Sequence, residues 1–242
     1  MNILESIQQQ RRTLGILVDP EKLAIENFPA FAEAIQSSTS QLKIDLELGQ
    51  IIFLIGGSTM ENVDLDQWLN SFKKLTDFKT VLFPGSATQL SEHADGLLFL
   101  NLISGRNADY LIGQQVVAAK RLKLSNLEIV PTGYLLLDGG TTTAVQRVSQ
   151  TEPLCQNNMD SIIDTAFAGK LMGNDLIYLE AGSGAETPVK TAIVREVSSA
   201  VDIPLIVGGG LRTIEEIKDR FNAGARMVVI GTAIESDMNW KG

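Results

Sequence analysis

The sequence has almost no cysteine or histidine. Its 242 residues include one cysteine, Cys155, and one histidine, His93. A lone cysteine forms no internal disulfide, which is typical of proteins in a reducing compartment. A single histidine argues against a Ser-His-Asp system and against a histidine-rich metal site. We therefore predict a cytoplasmic protein in which both residues are structural, with His93 on a helix between the third and fourth strands.

Long apolar runs and basic runs are also missing. No apolar stretch reaches the ~18–20 residues that span a bilayer, and the N-terminal stretch MNILESIQQQRR is polar, without an apolar signal core. The net charge is −9. With no Lys/Arg run, this acidity predicts that nucleic acid is not a partner. An anionic substrate remains compatible with it, because backbone N–H groups and a bound cation can hold phosphate locally.

Short aliphatic runs alternate with segments of helical periodicity along the whole chain. The predicted strands are Leu14–Val18, Ile51–Ile55, Thr80–Phe83, Gly96–Leu100, Leu127–Val130 (extended by Tyr134–Leu137), Leu176–Leu179, Leu205–Val207 and Met227–Ile230. The predicted helices include Val63–Leu75, Ala108–Leu122, Asp160–Met172, Pro188–Ala200 and Ile214–Asn222. Strands interleaved with helices indicate a parallel sheet, since each parallel neighbour needs a crossover. We predict a single-domain (β/α)8 TIM-type barrel over residues 1–242, with a doubly wound open sheet as the alternative.

Three glycine-rich strand ends in the last third of the chain are the strongest functional signal. They are YLEAGSG (Tyr178–Gly184), VGGGL (Val207–Leu211) and IGTAI (Ile230–Ile234). Glycine allows the backbone to approach an anion, and consecutive N–H groups can converge on phosphate oxygens. Barrels commonly bind phosphate at the loops after strands seven and eight. The three loops therefore predict a phosphate site, with ordinary strand-to-helix turns as the alternative. Neither a dinucleotide GxGxxG nor a P-loop pattern is present.

Polar residues follow the first, second and sixth predicted strands. Asp19 provides a hard oxygen ligand of the kind that Mg²⁺ prefers, and Ser58 adds a nearby hydroxyl. Glu180 can accept a hydrogen bond or a proton from a substrate hydroxyl. The structural alternatives are a helix or turn cap for Asp19 and an ion pair for Glu180.

Two further segments allow more than one interpretation. Ala108–Leu122 predicts a helix that packs on the barrel or at an oligomer interface; alternatively, its apolar face lines a groove for a hydrocarbon tail. Leu137–Asn158 is long and polar, which predicts a loop after the fifth strand, with a mobile lid as one possibility.

Together these motifs resemble the geranylgeranylglyceryl phosphate synthase family, which includes bacterial heptaprenylglyceryl phosphate synthases. The matching segments are LVDPEK (Leu17–Lys22), FLIGGS (Phe53–Ser58), LFPGS (Leu82–Ser86), LLFLNLISGRN (Leu97–Asn107), YLEAGSG, PLIVGGGLRT (Pro204–Thr213) and VVIGTAIE (Val228–Glu235). The resemblance implies a Mg²⁺-dependent prenyltransferase. Such an enzyme joins the C3 hydroxyl of sn-glycerol 1-phosphate to the prenyl group of a long-chain prenyl diphosphate and releases pyrophosphate. Geranylgeranyl diphosphate is the donor that we expect first.

The resemblance also implies roles for single residues. Asp19 and Ser58 match the family's magnesium positions, and Asp19 and Glu180 are the expected catalytic residues. The expected contacts of sn-glycerol 1-phosphate are Tyr178, Leu179, Glu180, Ala181, Gly182, Ser183, Gly184, Gly209, Gly210, Gly231 and Thr232. One departure is Leu17, where some relatives carry a lysine. This is similar to a branch whose members are often larger oligomers, so we expect a homo-oligomer, a dimer or a hexamer, and transient contact with a membrane surface stays open.

Two other functions fit the late glycine loops. Another phosphate-binding barrel enzyme (an isomerase, a lyase or a flavin-dependent enzyme) explains these loops equally well, but does not explain Asp19-Pro20 together with the GGS motif. A barrel that binds a phospholigand without turnover is the third hypothesis. Bound flavin would favour the second function, and tight binding without turnover would favour the third.

Overall fold

The structure, a computed structural model, describes residues 2–9, 12–57, 60 and 62–231. The strands are β1 Thr13–Val18, β2 Gln50–Ile55, β3 Lys79–Leu82, β4 Gly96–Leu102, β5 Glu128–Leu136, β6 Leu176–Glu180, β7 Leu205–Gly208 and β8 Met227–Ile230. The α-helices are α1 Ile3–Gln9, α2 Phe28–Asp45, α3 Leu65–Phe72, α4 Gln114–Leu122, α5 Ala144–Ser149, α6 Met159–Leu171, α7 Thr191–Val201 and α8 Ile214–Asn222. A 3-10 turn at Ile25–Asn27 precedes α2, and a π-helical turn at Asp109–Gly113 leads into α4.

The eight strands form a closed parallel barrel in sequence order, and β1 pairs with β8 to close it. The predicted TIM barrel is therefore confirmed, and each predicted strand is present. Along β2, Phe53 packs in the layer between the strands and the outer helices, whereas Leu54 points into the barrel interior. Both layers are apolar, which explains why the strands read as continuous apolar runs instead of an alternating pattern.

Helix α1 closes the amino-terminal end of the barrel. Ile3 and Ile7 are fully buried among the interior side chains. The backbone N–H groups of Ile3 and Leu4 donate to the carboxylate of Glu128, the first residue of β5. With this end filled, the opening lies at the carboxyl ends of the strands, where barrel enzymes place their chemistry.

The connection from β3 to β4 contains only turns, whereas every other connection within the described part of the chain carries an α-helix. The prediction that His93 lies on a helix is therefore wrong. The connection is short and begins with Pro84 and Gly85, which favour turns. Because no helix covers this part of the barrel wall, Phe99 and Leu100 on β4 stay only half-buried.

Among the described residues, no helix is both long and apolar enough to cross a membrane.

Candidate active site

A continuous cavity of about 490 Å³ opens at the carboxyl ends of the strands. It has a polar part at the barrel mouth and an apolar branch that lies between the β3–β4 connection, β4, α4 and α5. The polar part is lined by Asp19, Lys22, Gly57, Tyr178, Glu180, Gly182, Ser183, Gly184, Gly209, Gly210, Arg212 and Gly231. The apolar branch is lined by Phe83, Leu90, Leu97, Phe99, Leu100, Tyr110, Gln114, Gln115, Ala118, Val145 and Val148.

The glycines of the two loops after β6 and β7 adopt a conformation that other residues rarely accept. Gly182, Gly184, Gly209 and Gly210 all have positive φ, between +72° and +101°. A Cβ atom at Gly209 would lie 2.6 Å from the backbone nitrogen of Gly182 and 2.8 Å from that of Ala181. The two loops thus contact each other through their backbones, and at the glycine positions peptide groups face the mouth without side chains.

Arg212 fastens the same two loops to each other. Its guanidinium donates to the carbonyl oxygen of Gly210 at 3.1 Å and to that of Ala185 at 2.8 Å. The side chain also lines the cavity. It therefore places a positive charge beside the glycine loops, where a negatively charged phosphate would bind.

Glu180, the last residue of β6, points inward at the bottom of the polar part. It is buried, and its Oε1 accepts the N–H of Gly182 at 2.7 Å. Burial raises the pKa of the Glu180 carboxyl, and the nearby Tyr178 phenol and Gly182 N–H partly offset the rise by stabilising the anion. A buried carboxylate with a raised pKa is a better proton acceptor than a solvated one.

Tyr178 lies two residues before Glu180 and faces the same side, as expected for a strand. Its ring stacks on Phe83 with 5.4 Å between centroids. A Cβ atom at Gly208 would be 2.6 Å from the Tyr178 hydroxyl and 2.7 Å from Glu180 Oε2, so the glycine leaves room for both groups. The hydroxyl is buried and has no hydrogen-bond partner among the described residues. Burial, reinforced by the charge of Glu180, raises its pKa well above the ordinary value, which keeps it a donor.

Asp19 follows β1, which is three strands away from β6 around the barrel. Its Oδ1 accepts the N–H of Glu21 at 3.0 Å, and its Oδ2 lies 4.0 Å from Lys22 Nζ. A Cβ atom at Gly57 would be 2.6 Å from Asp19 Oδ1, so the GGS motif makes space for the carboxylate. The residue thus caps a turn and also faces the cavity. No cluster of three or more histidine, cysteine or acidic residues suited to a metal exists in the described ranges.

The other predicted site residues fall into those that line the cavity and those that point away from it. Ser183, Gly184 and Gly231 line the cavity. Leu179 and Ala181 point outward into the layer beneath the helices, so only their backbones face the mouth. Ser58 and Thr232 lie outside the described residues.

The apolar branch contains residues for which the sequence analysis allowed more than one role. Tyr110, Gln114, Gln115 and Ala118 line it, so the segment predicted as Ala108–Leu122 faces a groove. Helix α5, inside the stretch predicted as a loop, forms the opposite wall. The Asn107 side-chain amide donates to the Ser149 carbonyl at 2.8 Å and fastens α5 across the branch.

Lys22 and Arg212 were missed as site residues, although both lie within matched motifs. Their position could have indicated a role, because Lys22 in LVDPEK and Arg212 in GGGLRT each follow a strand end that carries predicted site residues. Neither residue type is rare on a surface, so the spacing alone did not distinguish them from solvated charges.

Comparison with known proteins agrees with this geometry. Residues 11–241 match the PcrB family. The geranylgeranylglyceryl phosphate synthase of Flavobacterium johnsoniae is 45% identical over 238 residues, which cover 98% of this chain and 94% of that protein. The synthase of Zunongwangia profunda is 43% identical over 97% of this chain and 95% of its own length. The crystal structure of (S)-3-O-geranylgeranylglyceryl phosphate synthase from Thermoplasma acidophilum, in complex with sn-glycerol 1-phosphate, superposes with a TM-score of 0.85 at 31% identity and covers 100% of this chain and 94% of that one.

Proposed function

The chain belongs to the PcrB family, and on that premise we propose that it transfers a long prenyl group to sn-glycerol 1-phosphate. The reaction forms an ether bond at the C3 oxygen and releases pyrophosphate. The observation that carries this proposal is the continuity of the cavity: a mouth lined by peptide groups, with Glu180 below it, joins an apolar branch. One end suits a small phosphate ester and the other a hydrocarbon chain.

The glycerol phosphate fits the mouth in one direction. Its phosphate belongs at the loops that carry Gly209 and Gly210, beside the Arg212 guanidinium. A carboxylate repels a phosphate, so Glu180 addresses the uncharged end of the substrate. The buried hydroxyl of Tyr178 lies beside the Glu180 carboxylate and faces the same glycerol end, where it can donate to the substrate. These contacts hold the C3 oxygen toward the apolar branch.

The chain's own residues accept the proton of the C3 hydroxyl and position its oxygen. The C3 oxygen forms a bond with the first carbon of the prenyl group, while the bond between that carbon and the diphosphate breaks. The hydroxyl proton passes to the Glu180 carboxylate, whose raised pKa suits this role. General-base assistance is typically worth ~10²–10⁴-fold in rate. Most of the remaining work is orientation of the two reactants.

The diphosphate belongs near Asp19, and the residues there fit Mg²⁺. Magnesium usually takes one or two protein carboxylates and completes its shell with substrate phosphates and water. Asp19 supplies one carboxylate at the cavity wall, and the glycine at position 57 leaves it accessible. Held by Asp19, Mg²⁺ would supply positive charge to neutralise the charge that develops on the leaving pyrophosphate.

Lys22 supplies a second positive charge at this end of the cavity. Its ammonium lies 4.0 Å from Asp19, and the side chain lines the same wall. Leu17 also lines the cavity but carries no charge. We assign Lys22 to the diphosphate, since it is the cation beside Asp19 in a chain whose residue 17 is an uncharged leucine.

Product analysis tests the function. The purified protein is incubated with Mg²⁺, sn-glycerol 1-phosphate and prenyl diphosphates of graded length, and the products are identified by mass spectrometry. We expect a prenyl ether and pyrophosphate in equal amounts, with geranylgeranyl diphosphate among the preferred donors. Pyrophosphate release without ether formation, or no consumption of either substrate, would contradict the proposal.

A further inference from the structure

The outer face of α4 and of the turn after it exposes apolar residues beside cations. Val117 is 63% exposed and Leu124 83% exposed, and Val116 and Ile112 are exposed to a similar degree. Lys120, Arg121 and Lys123 are exposed among them. Residues 110–127 contain no aspartate or glutamate. Although the chain has a net charge of −9, this segment carries positive charge and exposed apolar groups together.

The helical repeat separates this face from the substrate side of the same helix. Gln115, Ala118 and Leu122 are buried on one side of α4, and the first two line the apolar branch of the cavity. Val117, Lys120 and Leu124 recur on the opposite side at spacings of three and four residues. Ala87 lines both the cavity and a shallow hollow that Val117, Lys120, Arg121 and Leu124 form on the outside. The outer face thus adjoins the place where a prenyl chain leaves the barrel.

We propose that this outer face of α4 docks the protein on an anionic lipid surface. Exposed aliphatic side chains flanked by lysine and arginine are typical of helices that lie in the membrane interface. The aliphatic groups enter the headgroup region, while the long basic side chains reach the lipid phosphates. Docked in this way, the protein would hold the apolar branch, whose wall includes Ala87 beside this face, close to the bilayer that would supply a prenyl diphosphate and receive the product.

A second exposed apolar cluster provides the contrast. Phe167, Leu171 and Met172 on and after α6 are also exposed, but the neighbouring Lys170 pairs with Asp202 at 2.9 Å. The charge beside that cluster is therefore balanced, and α6 does not line the cavity. We expect it to contribute little to binding an anionic surface.

Vesicle co-sedimentation of the full chain tests the proposal without any substrate, so its failure is distinguishable from a failure of the proposed activity. The wild-type protein is compared with the double variants Val117→Glu/Leu124→Glu and Leu171→Glu/Met172→Glu. Each pair replaces two exposed aliphatic residues and adds the same charge. Neither pair touches the cavity, so both variants should fold and retain activity on detergent-dispersed substrate.

We expect the wild type to bind phosphatidylglycerol vesicles, to bind phosphatidylcholine vesicles weakly, and to dissociate as salt increases. Val117→Glu/Leu124→Glu should weaken binding about tenfold or more, and the α6 variant should bind like wild type. Absence of wild-type binding, or equal loss in both variants, would overturn the proposal. So would a Val117→Glu/Leu124→Glu variant that dissociates into smaller particles by light scattering while vesicle binding is unchanged, because a second copy of the chain would then cover this face.

Discussion

Gly209 lies so close to Glu180 that a Cβ atom at Gly209 would be 2.5 Å from Glu180 Oε1. The loop that we assign to the phosphate and the carboxylate that we assign to the hydroxyl are thus in direct contact. This packing sets the separation between the loop that carries Gly209 and the Glu180 carboxylate. A change at either residue should affect the position of the other.

Gly209→Ala should uncouple the two groups. The added methyl group would clash with the Glu180 carboxylate and with the backbone nitrogens of Ala181 and Gly182, so the carboxylate and the loop after β6 must both shift. A displacement of about 1 Å at a reacting group can reduce the rate ~10²-fold. We expect kcat/KM for sn-glycerol 1-phosphate to fall by about that factor, while the affinity for prenyl diphosphate is retained. Gly173→Ala is the control, because Gly173 has a similar φ of +92° but nothing within 4 Å of an added Cβ. Equal loss in both variants would mean that backbone strain, and not the contact with Glu180, is responsible.

Glu180→Gln should separate activity from stability. A folded-state pKa above the unfolded value means that the Glu180 contribution to stability is present at low pH and is lost as the pH rises through the folded pKa. Glutamine keeps the acceptor for Gly182 but never becomes charged. We therefore expect the rate to fall ~10²–10⁴-fold, while the Tm at neutral pH is higher than that of the wild type and the difference shrinks on acidification. A variant with a wild-type rate would remove Glu180 from the mechanism.

Asp19→Asn should reduce turnover by about 100-fold or more and alter the Mg²⁺ dependence, because the amide is a much weaker ligand for a hard cation. The amide oxygen can still accept the N–H of Glu21, so the turn should persist. Asp138→Asn is matched to it, since Asp138 accepts the N–H of Gly140 in the same geometry but does not line the cavity. Magnesium titration of both variants is the measurement. Unchanged metal dependence in Asp19→Asn would place the metal elsewhere.

Ala118→Trp should shorten the prenyl chain that the protein accepts. Ala118 is buried at the wall of the apolar branch, and an indole there would fill the space that a long tail needs. Activity with the longest donors should fall more than activity with short ones. Val116→Trp, on the exposed side of α4, should leave the length profile unchanged with detergent-dispersed donors. A uniform loss with all donors in Ala118→Trp would indicate general damage instead of a length limit.

The strands and their order were predictable because each strand is buried on both faces and therefore appears as a continuous apolar run. The loop ends were predictable for a related reason: Gly209 and Gly210 have positive φ and lie against the backbone of the loop after β6, where a side chain does not fit. These are local conformational requirements, and they can be recognised in a single sequence.

The groove was not predictable in the same way. Ala118 is apolar and lies at helical spacing, and this pattern is the same for packing against the barrel and for lining a substrate channel. The difference arises because the connection between β3 and β4 lacks a helix, which leaves β4 partly uncovered. Helix α5 was also missed, because Ala144–Ser149 is short and lies in a polar stretch whose position depends on contacts such as that between Asn107 and Ser149.

The most direct test of the account is stereochemical. The purified protein is given Mg²⁺, geranylgeranyl diphosphate and an equal mixture of sn-glycerol 1-phosphate and sn-glycerol 3-phosphate, and the ether products are resolved by chiral analysis. The proposed placement has the phosphate at the glycine loops, the C3 hydroxyl at Glu180 and the prenyl diphosphate beside Asp19. Three such constraints distinguish mirror-image substrates, so we predict an ether of the sn-1 compound almost alone. Comparable amounts of both ethers, or no ether, would contradict the account.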